Sequence, residues 1–455
     1  MAAENVLVLV VLVAAAAGAA AWRRLAPGSF WFCVGFPVRW AWVFATWPKV
    51  AAGCKLSRKR NRLRWSLEVV PLVSTSASTS YTQRRKVRTV AVDKAPRFGL
   101  PRPTSLGWRV GVRLHDGQVP ADYQAAAERL AHAWGVHSVR VLPDKPGRVV
   151  LVVNRVDPLT DVTASPETGE LLTVRPGMLE TGMPWIMDLK VMPHWLNAGA
   201  TQSGKSTLVN AIIRGLAPQP IALVGFDLKG GVELTPYAPR LSALATTRAG
   251  SVRLLDGLVS ILEDRMTLCR TAGARNVWQL PEEIRPVPVV VLVDEVAELF
   301  LMADKSEKDE VAKTATGLLR VAQLGRAFAV YLIVSGQRIG SDLGPGVTAL
   351  RSQLSGRVCH RVNDPETANM TLGDLDPAAL DAARAIPAET PGVAIVAGQD
   401  GTWSRARTVL ITEDEAEHAA KTFAHLTPAW SDLIRSLTGP RATVDDPAVH
   451  PPRAA

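Results

Sequence analysis

Apolar residues along this chain change their spacing from region to region, and each spacing predicts a different kind of element. Residues 6–22 are an unbroken apolar run of Val, Leu, Ala and Gly closing on Trp22, followed by Arg23 and Arg24. Such a run sits at the lower limit for a membrane-spanning helix. A second apolar stretch, residues 30–47, contains Pro37 and Arg39 and carries Trp31, Trp40, Trp42 and Trp47, the aromatic crowding of a membrane interface. It reads either as a second span that snorkels Arg39 or as a segment lying on the surface. Beyond it, residues 108–114 alternate as a strand does. Residues 122–134 place Tyr123, Ala127, Leu130 and Trp134 on one helical face, and residues 138–142 and 148–154 read as two further strands.

From Trp185 onward, short all-apolar runs alternate with helical stripes, the signature of a doubly wound, mostly parallel α/β sheet. Residues 221–226, 287–293 and 329–334 are the apolar runs. Val252, Leu255, Val259, Leu262 and Met266 form a stripe expected to face the core. The predicted organisation is a membrane anchor over residues 1–48, a basic juxtamembrane segment and linker over 49–83, a small α/β domain over 84–182, a larger α/β domain over 183–412 and a short tail over 413–455. The linker expectation rests on the Ser/Thr run from Ser74 to Ser80; the tail shows one possible helix, residues 430–437.

Composition sharpens this outline. Lys plus Arg number 52 against 42 Asp plus Glu, a formal charge of +10, which favours an anionic partner, nucleic acid or lipid. Much of the excess follows the apolar segments: Lys49, Lys55, Arg58, Lys59, Arg60, Arg62 and Arg64, then Arg84, Arg85, Lys86 and Arg88. That placement marks a cytoplasmic flank and suits either anionic lipid or DNA. The four cysteines are scattered, with neither a C-x-x-C pair nor a zinc spacing, so a disulfide framework and cysteine catalysis are not expected. The first apolar run lacks a positive leading region and reads as an anchor rather than a signal peptide.

The candidate chemistry centres on Gly199, Ala200, Thr201, Gln202, Ser203, Gly204, Lys205 and Ser206, followed by Thr207. These residues fit the G-x-x-x-x-G-K-[ST] phosphate loop between a predicted strand and a predicted helix. The glycines let backbone N–H groups turn toward phosphate oxygens at a helix N-terminus. Lys205 would reach the β and γ phosphates, and the Ser206 hydroxyl would hold Mg²⁺. The apolar run 287–293 delivers Asp294 and Glu295 to a strand tip, where Asp294 would serve the same cation and Glu295 would polarise the attacking water. Gln337 follows another core strand and is positioned to sense the γ phosphate.

Taken together, these stretches resemble the FtsK/SpoIIIE family of DNA-pumping motors. The resemblance runs from Trp185 to Thr412 and is carried by Met192-Pro193-His194, the phosphate loop, Asp227-Leu228-Lys229, Glu263-Asp264-Arg265-Met266, Val293-Asp294-Glu295, the stretch from Leu319 to Ala327, and Gly336-Gln337-Arg338. It implies a RecA-like P-loop ATPase that uses ATP and Mg²⁺, assembles as a hexameric ring and moves double-stranded DNA. In such rings a neighbour's arginine completes each ATP site, and Arg357 and then Arg326 match the family pattern. DNA-gripping loops would be sought at Lys229-Gly230-Gly231 and at residues 339–346. The short anchor and single motor are similar to the plasmid and integrative-element transfer proteins of mycelial actinobacteria, implying a cell-membrane location, a cytoplasmic motor and conjugative transfer. A chromosome-partition pump and a secretion-type ATPase moving polypeptide are the alternatives.

Overall fold

A computed structural model describes residues 17–74, 79–165, 167, 169–302, 304–337, 339–340, 343–344, 346–373, 377–398 and 402–435. The chain divides into two compact units, Met1–Pro158 and Leu159–Ala455.

In the first unit the second apolar stretch is not an independent anchor. After a short helix and a π-helical turn (Trp31–Gly35), it forms helix α1 (Phe36–Gly53), which opens with Pro37 in its first turn. Val43, Trp47 and Ala51, spaced four apart, are buried in the same core as Trp108, Leu130 and Trp134. The indole of Trp47 donates to Pro96 O at 2.7 Å and that of Trp31 to Thr104 O at 2.8 Å. Arg39, expected to snorkel, donates to the carbonyls of Trp134 and Gly135. Residues 30–47 therefore belong to the small domain, because one face of the helix fits its core. No helix among the described residues is long and apolar enough to cross a membrane; residues 6–16 of the first apolar run lie outside them, and 17–25 are helical.

The basic segment is also structured. Strands β1 (Arg58–Ser74) and β2 (Thr79–Lys94) pair antiparallel into a two-stranded ribbon. Ser74 pairs with Thr79 and Val73 with Ser80, so both flanks of the expected linker belong to the ribbon; residues 75–78 lie outside the described residues. The small domain follows with β3 (Gly107–Arg113), α2 (Pro120–Trp134), β4 (Ser138–Lys145) and β5 (Arg148–Asn154). β5 pairs antiparallel with β3 and β4, and Tyr123, Leu130 and Trp134 of α2 cover the sheet.

The second unit is built on a ten-stranded sheet. In chain order its strands are β6 (Thr173–Leu179), β7 (Pro184–Asp188), β8 (His194–Ala198), β9 (Ala222–Phe226), β10 (Leu241–Ala245), β11 (Val289–Val293), β12 (Val330–Gly336), β13 (Gly356–His360), β14 (Val393–Ala397) and β15 (Trp403–Thr408). Across the sheet they run 10-9-11-12-8-13-14-15-6-7. The first six are parallel and the remainder antiparallel. Strands β6 and β7 thus belong to this sheet, which moves the expected boundary at residue 182 back to residue 158, because β6 pairs with β15 near the far end of the unit.

Alternate residues of the parallel strands feed opposite cores, as a sheet covered on both faces requires. Leu223, Val290, Leu292, Tyr331 and Ile333 meet helix α3 (Lys205–Leu216) on one side. Val224, Val291, Val293, Leu332 and Val334 meet α4 (Arg248–Thr271) and α5 (Lys308–Phe328) on the other. On α4 the buried stripe is Leu254, Leu255, Leu258, Ile261 and Leu262; Val252, Val259 and Met266 are only half-buried. Arg265 explains the rotation. Its buried guanidinium donates to Phe328 O, Ala329 O and Val287 O, which turns that edge of the helix inward.

The tail is partly core as well. Helix α6 (Glu413–Thr422) starts at a Thr412/Glu415 capping box and buries Ala416 and Ala420. A short helix, Trp430–Ile434, buries Trp430.

Candidate functional site

The phosphate loop leaves β8, with β12 on one side of that strand and β13 on the other. One strand therefore separates the loop from β11, whose tip carries Asp294 and Glu295, and Gln337 directly follows that intervening strand. Gly204 adopts φ +108, and a Cβ there would lie 2.5 Å from Gly392 Cα. Its glycine is required by conformation and by space. Gly392 N–H donates to Ser203 O at 2.9 Å, and Ala200 N–H donates to Arg361 O at 2.9 Å. The loop is thus braced from two sides before any phosphate arrives, and Lys205 opens helix α3.

One cleft holds Ala200, Thr201, Gln202, Gly204, Lys205, Ser206 and Thr207 together with Asp294, Glu295 and Gln337. Gly199 and Ser203 support it from behind. Ser203 is buried, and a Cβ on Gly199 would meet Ser203 Oγ at 2.5 Å and His360 Cβ at 2.7 Å. The same cleft is lined by Lys229, Glu233 and Pro391, which the sequence reading did not place there.

Glu295 is its focus. The carboxylate is 7% exposed. Its Oε2 lies 3.3 Å from Lys229 Nζ and 3.9 Å from Lys205 Nζ, while Oε1 accepts the Gln337 backbone N–H at 3.1 Å. A Cβ on Gly336 would come within 3.1 Å of Oε1, so the glycine before Gln337 makes room for the carboxylate. Gln337 itself is exposed at the cleft.

Lys229 was expected in a DNA-gripping loop; it reaches Glu295 because Asp227 shapes the turn after β9. Asp227 is fully buried and accepts the N–H groups of Lys229, Glu233 and Leu234. The signal was present in the Asp227-Leu228-Lys229 triplet at a strand tip, but only the sheet order brings that tip beside β11. In the other loop considered for DNA, Ile339 and Leu343 are buried against the α4/α5 core.

Electrostatics favour a cation between Ser206 and Asp294. Burial, then Glu233 and Asp227, push the Asp294 carboxyl up to about 6, because the ionised form is desolvated beside other acids. Lys205 is held below its ordinary value, first by burial and also by Lys229, against the pull of Glu295. Among the described residues there is no cluster of three or more His, Cys, Asp or Glu that could hold a metal alone. One hydroxyl and one carboxylate, with phosphate oxygens and water completing the shell, is the donor set that Mg²⁺ accepts. The residues present therefore fit Mg²⁺.

The two arginine candidates are placed differently. Arg357 lies in β13, its guanidinium donating to Thr371 O at 2.9 Å and Arg351 O at 3.1 Å. Arg326 is exposed in the last turn of α5. Neither is among the residues lining the cleft.

Known proteins are similar to this chain in sequence and fold. Residues 17–155 match the actinomycete conjugal transfer protein N-terminal domain, and residues 163–288 and 279–341 match the FtsK/SpoIIIE family. The chain is 42% identical over 348 residues to the transfer protein TraSA of Streptomyces ambofaciens, covering 74% of this chain and 84% of that one. The chain belongs to the FtsK/SpoIIIE family. This FtsK/SpoIIIE protein is an ATPase. It is also 47% identical over 277 residues to a sporulation regulatory protein of Streptomyces azureus, across 61% of this chain and 89% of that protein. Its fold is similar to that of the pCW3 conjugation coupling protein TcpA in a monomer form with ATPgS, at TM-score 0.51 and 18% identity, over 72% of this chain and 94% of the other.

Proposed function

We propose that this chain couples ATP hydrolysis to movement of double-stranded DNA in conjugal transfer. The observation that carries the chemistry is the Glu295 carboxylate, set between Lys229, Lys205 and the Gln337 N–H at the mouth of the phosphate loop. The loop's N–H groups and Lys205 bind the triphosphate. Glu295 accepts a proton as the water oxygen bonds to the γ phosphorus and the bond to the β–γ bridging oxygen breaks. Mg²⁺ at Ser206 and Asp294 supplies charge neutralisation to the phosphates when bound. The kinship to a transfer protein over most of both chains supports DNA as the cargo.

The assembly is a ring of identical subunits, six by the family pattern. Supporting this, no arginine among the described residues lines the cleft, although phosphoryl transfer in such motors uses one to offset charge in the transition state. A neighbour supplies it. Arg326, exposed, suits that role better than Arg357, whose donors already serve carbonyls of its own chain. The chain works at the cytoplasmic face of the cell membrane, its apolar N-terminal run holding it there.

The test is ATP turnover by the full chain with and without linear duplex DNA, beside Glu295→Gln. A several-fold rise with duplex, weakening steeply as salt increases and absent from the variant, is expected. Turnover indifferent to duplex at low salt would overturn the reading.

A further inference from the structure

We infer that the small domain carries a binding site for an anionic glycerophospholipid, formed by Arg23, Arg39 and Arg155 at the foot of the N-terminal helices. This deepens the membrane reading above and rests on it.

The three arginines line one cleft whose remaining wall is largely apolar, including Val34, Val38 and Trp42. Arg155 stacks over Trp31 with its guanidinium carbon 3.6 Å from the ring centre, and Arg39 lies over Trp42 at 4.8 Å. Stacking fixes both planes without using their in-plane donors. Arg39 spends part of its fork on the carbonyls of Trp134 and Gly135. Among the described residues no acidic side chain lines the cleft and no carboxylate forms an ion pair with any of the three. Their mutual repulsion adds to burial in holding the Arg155 guanidinium below its ordinary value. Three guanidiniums gathered in one cleft, with no carboxylate among the described residues paired to them, offer charge-assisted donors to an anion from outside.

The walls say which anion. The helical stretch that supplies Arg39 turns one face into the core and leaves Phe32, Val38, Trp42 and Phe44 exposed. A free phosphate would leave that apolar face in water, and a DNA backbone offers nothing that matches it. A phospholipid offers both halves, a phosphate for the guanidiniums and acyl chains for the apolar face. Tryptophans beside arginines are the side chains that settle at the headgroup level of a bilayer.

The experiment is vesicle flotation of the full chain at physiological ionic strength, using phosphatidylcholine alone or mixed with phosphatidylglycerol. Wild type is expected to bind the mixed vesicles more tightly, and Arg23→Gln/Arg155→Gln to lose about tenfold of that preference while binding phosphatidylcholine unchanged. Arg60→Gln/Arg62→Gln, which alters the ribbon instead, should keep it. Arg155→Lys, which retains charge and loses the stacked plane, should fall between. Binding to both vesicle types without preference overturns the site and leaves the membrane reading standing. Binding to neither overturns both. Preference retained by the double glutamine variant, removed by the ribbon variant, or abolished by inorganic phosphate or duplex DNA without lipid selectivity also overturns the site.

Discussion

Lys229 Nζ sits 3.3 Å from Glu295 Oε2, closer than Lys205, the lysine of the phosphate loop itself, at 3.9 Å. Were a triphosphate to draw Lys205 away in the proposed reaction, Lys229 would remain as the counter-charge beside the buried Glu295 carboxylate. Removing it would leave the Glu295 carboxylate without its nearer cation. Lys229→Ala is expected to lower kcat/KM for ATP about tenfold or more, with Lys229→Arg recovering part of the loss, whereas Glu295→Gln should lower kcat at least a hundredfold and still bind ATP. Steady-state kinetics and a nucleotide-binding titration check both. Unchanged kinetics in Lys229→Ala would remove Lys229 from the site.

Stability and activity are expected to respond to pH in opposite directions at Asp294. Its carboxyl is raised from 3.8 to about 6 by burial and by Glu233 and Asp227. The folded, nucleotide-free protein therefore holds a proton more tightly than the unfolded chain does. This contribution to stability is complete below 3.8 and is lost as pH rises through 6. His194 and His360, both buried and lowered from 6.5 to about 4, act oppositely: their contribution is complete above 6.5 and is lost as pH falls through 4. Comparing wild type with Asp294→Asn isolates the first effect. At neutral pH the variant should be more stable by about 1 kcal/mol after allowing for solvent screening, a rise of roughly 2–4 °C in Tm, and it should hydrolyse ATP at least a hundredfold more slowly. Wild-type kcat/KM should fall as pH drops below about 6. A variant that melts lower than wild type at neutral pH would contradict the placement of Asp294 among acids.

Gly204 tolerates no side chain. With φ at +108 and Gly392 against it, Gly204→Ala must displace the Pro391-Gly392 turn or the loop. ATP affinity should fall at least tenfold while the melting temperature without nucleotide drops by a few degrees. Isothermal titration with a non-hydrolysable analogue reads the first and calorimetry the second. Wild-type affinity in the alanine variant would mean that the loop is not held as described.

If Arg326 completes a neighbour's site, defects in two kinds of subunit should complement. Arg326→Ala is expected to lower turnover about a thousandfold with little change in Tm, as for an exposed residue. Arg357→Ala should lower the Tm, since it releases the carbonyls of Thr371 and Arg351. Mixing Arg326→Ala with Glu295→Gln subunits should restore part of the activity, because some interfaces then pair an intact Glu295 with an intact Arg326. No recovery at any mixing ratio would exclude Arg326 as the donated arginine.

The phosphate loop, Asp294 and Glu295 were legible in the sequence because each function needs fixed neighbours along the chain. Gln337 was legible as the tip of an apolar run. Lys229 as a cleft residue was not, since its partner lies 66 positions away and meets it only through the pairing of β9 with β11. Pro391 and Gly392 escaped for the same reason. Helix α6 was not anticipated within the expected tail, although Thr412 and Glu415 stand at the spacing of a capping box. Residues 30–47 were legible only in part. A face of tryptophan and valine has the same apolar signature whether it meets lipid or a small sheet, and here the Trp47, Val43 and Ala51 face meets the sheet. The Ser/Thr run read as linker because composition says nothing of what its flanks pair with.

Among the described residues the ribbon of β1 and β2 is a sheet of two strands, with no further strand beside its outer backbone edges. Long bare edges of this kind invite the same edge on another molecule. Arg58, Lys59, Arg60 and Arg62 run along one of them, all exposed, and identical edges meeting would stack like charge on like. The basic run is therefore also a guard against self-association. Its protection fades as salt screens it, so the protein should stay dispersed in dilute buffer and begin to aggregate as ionic strength rises.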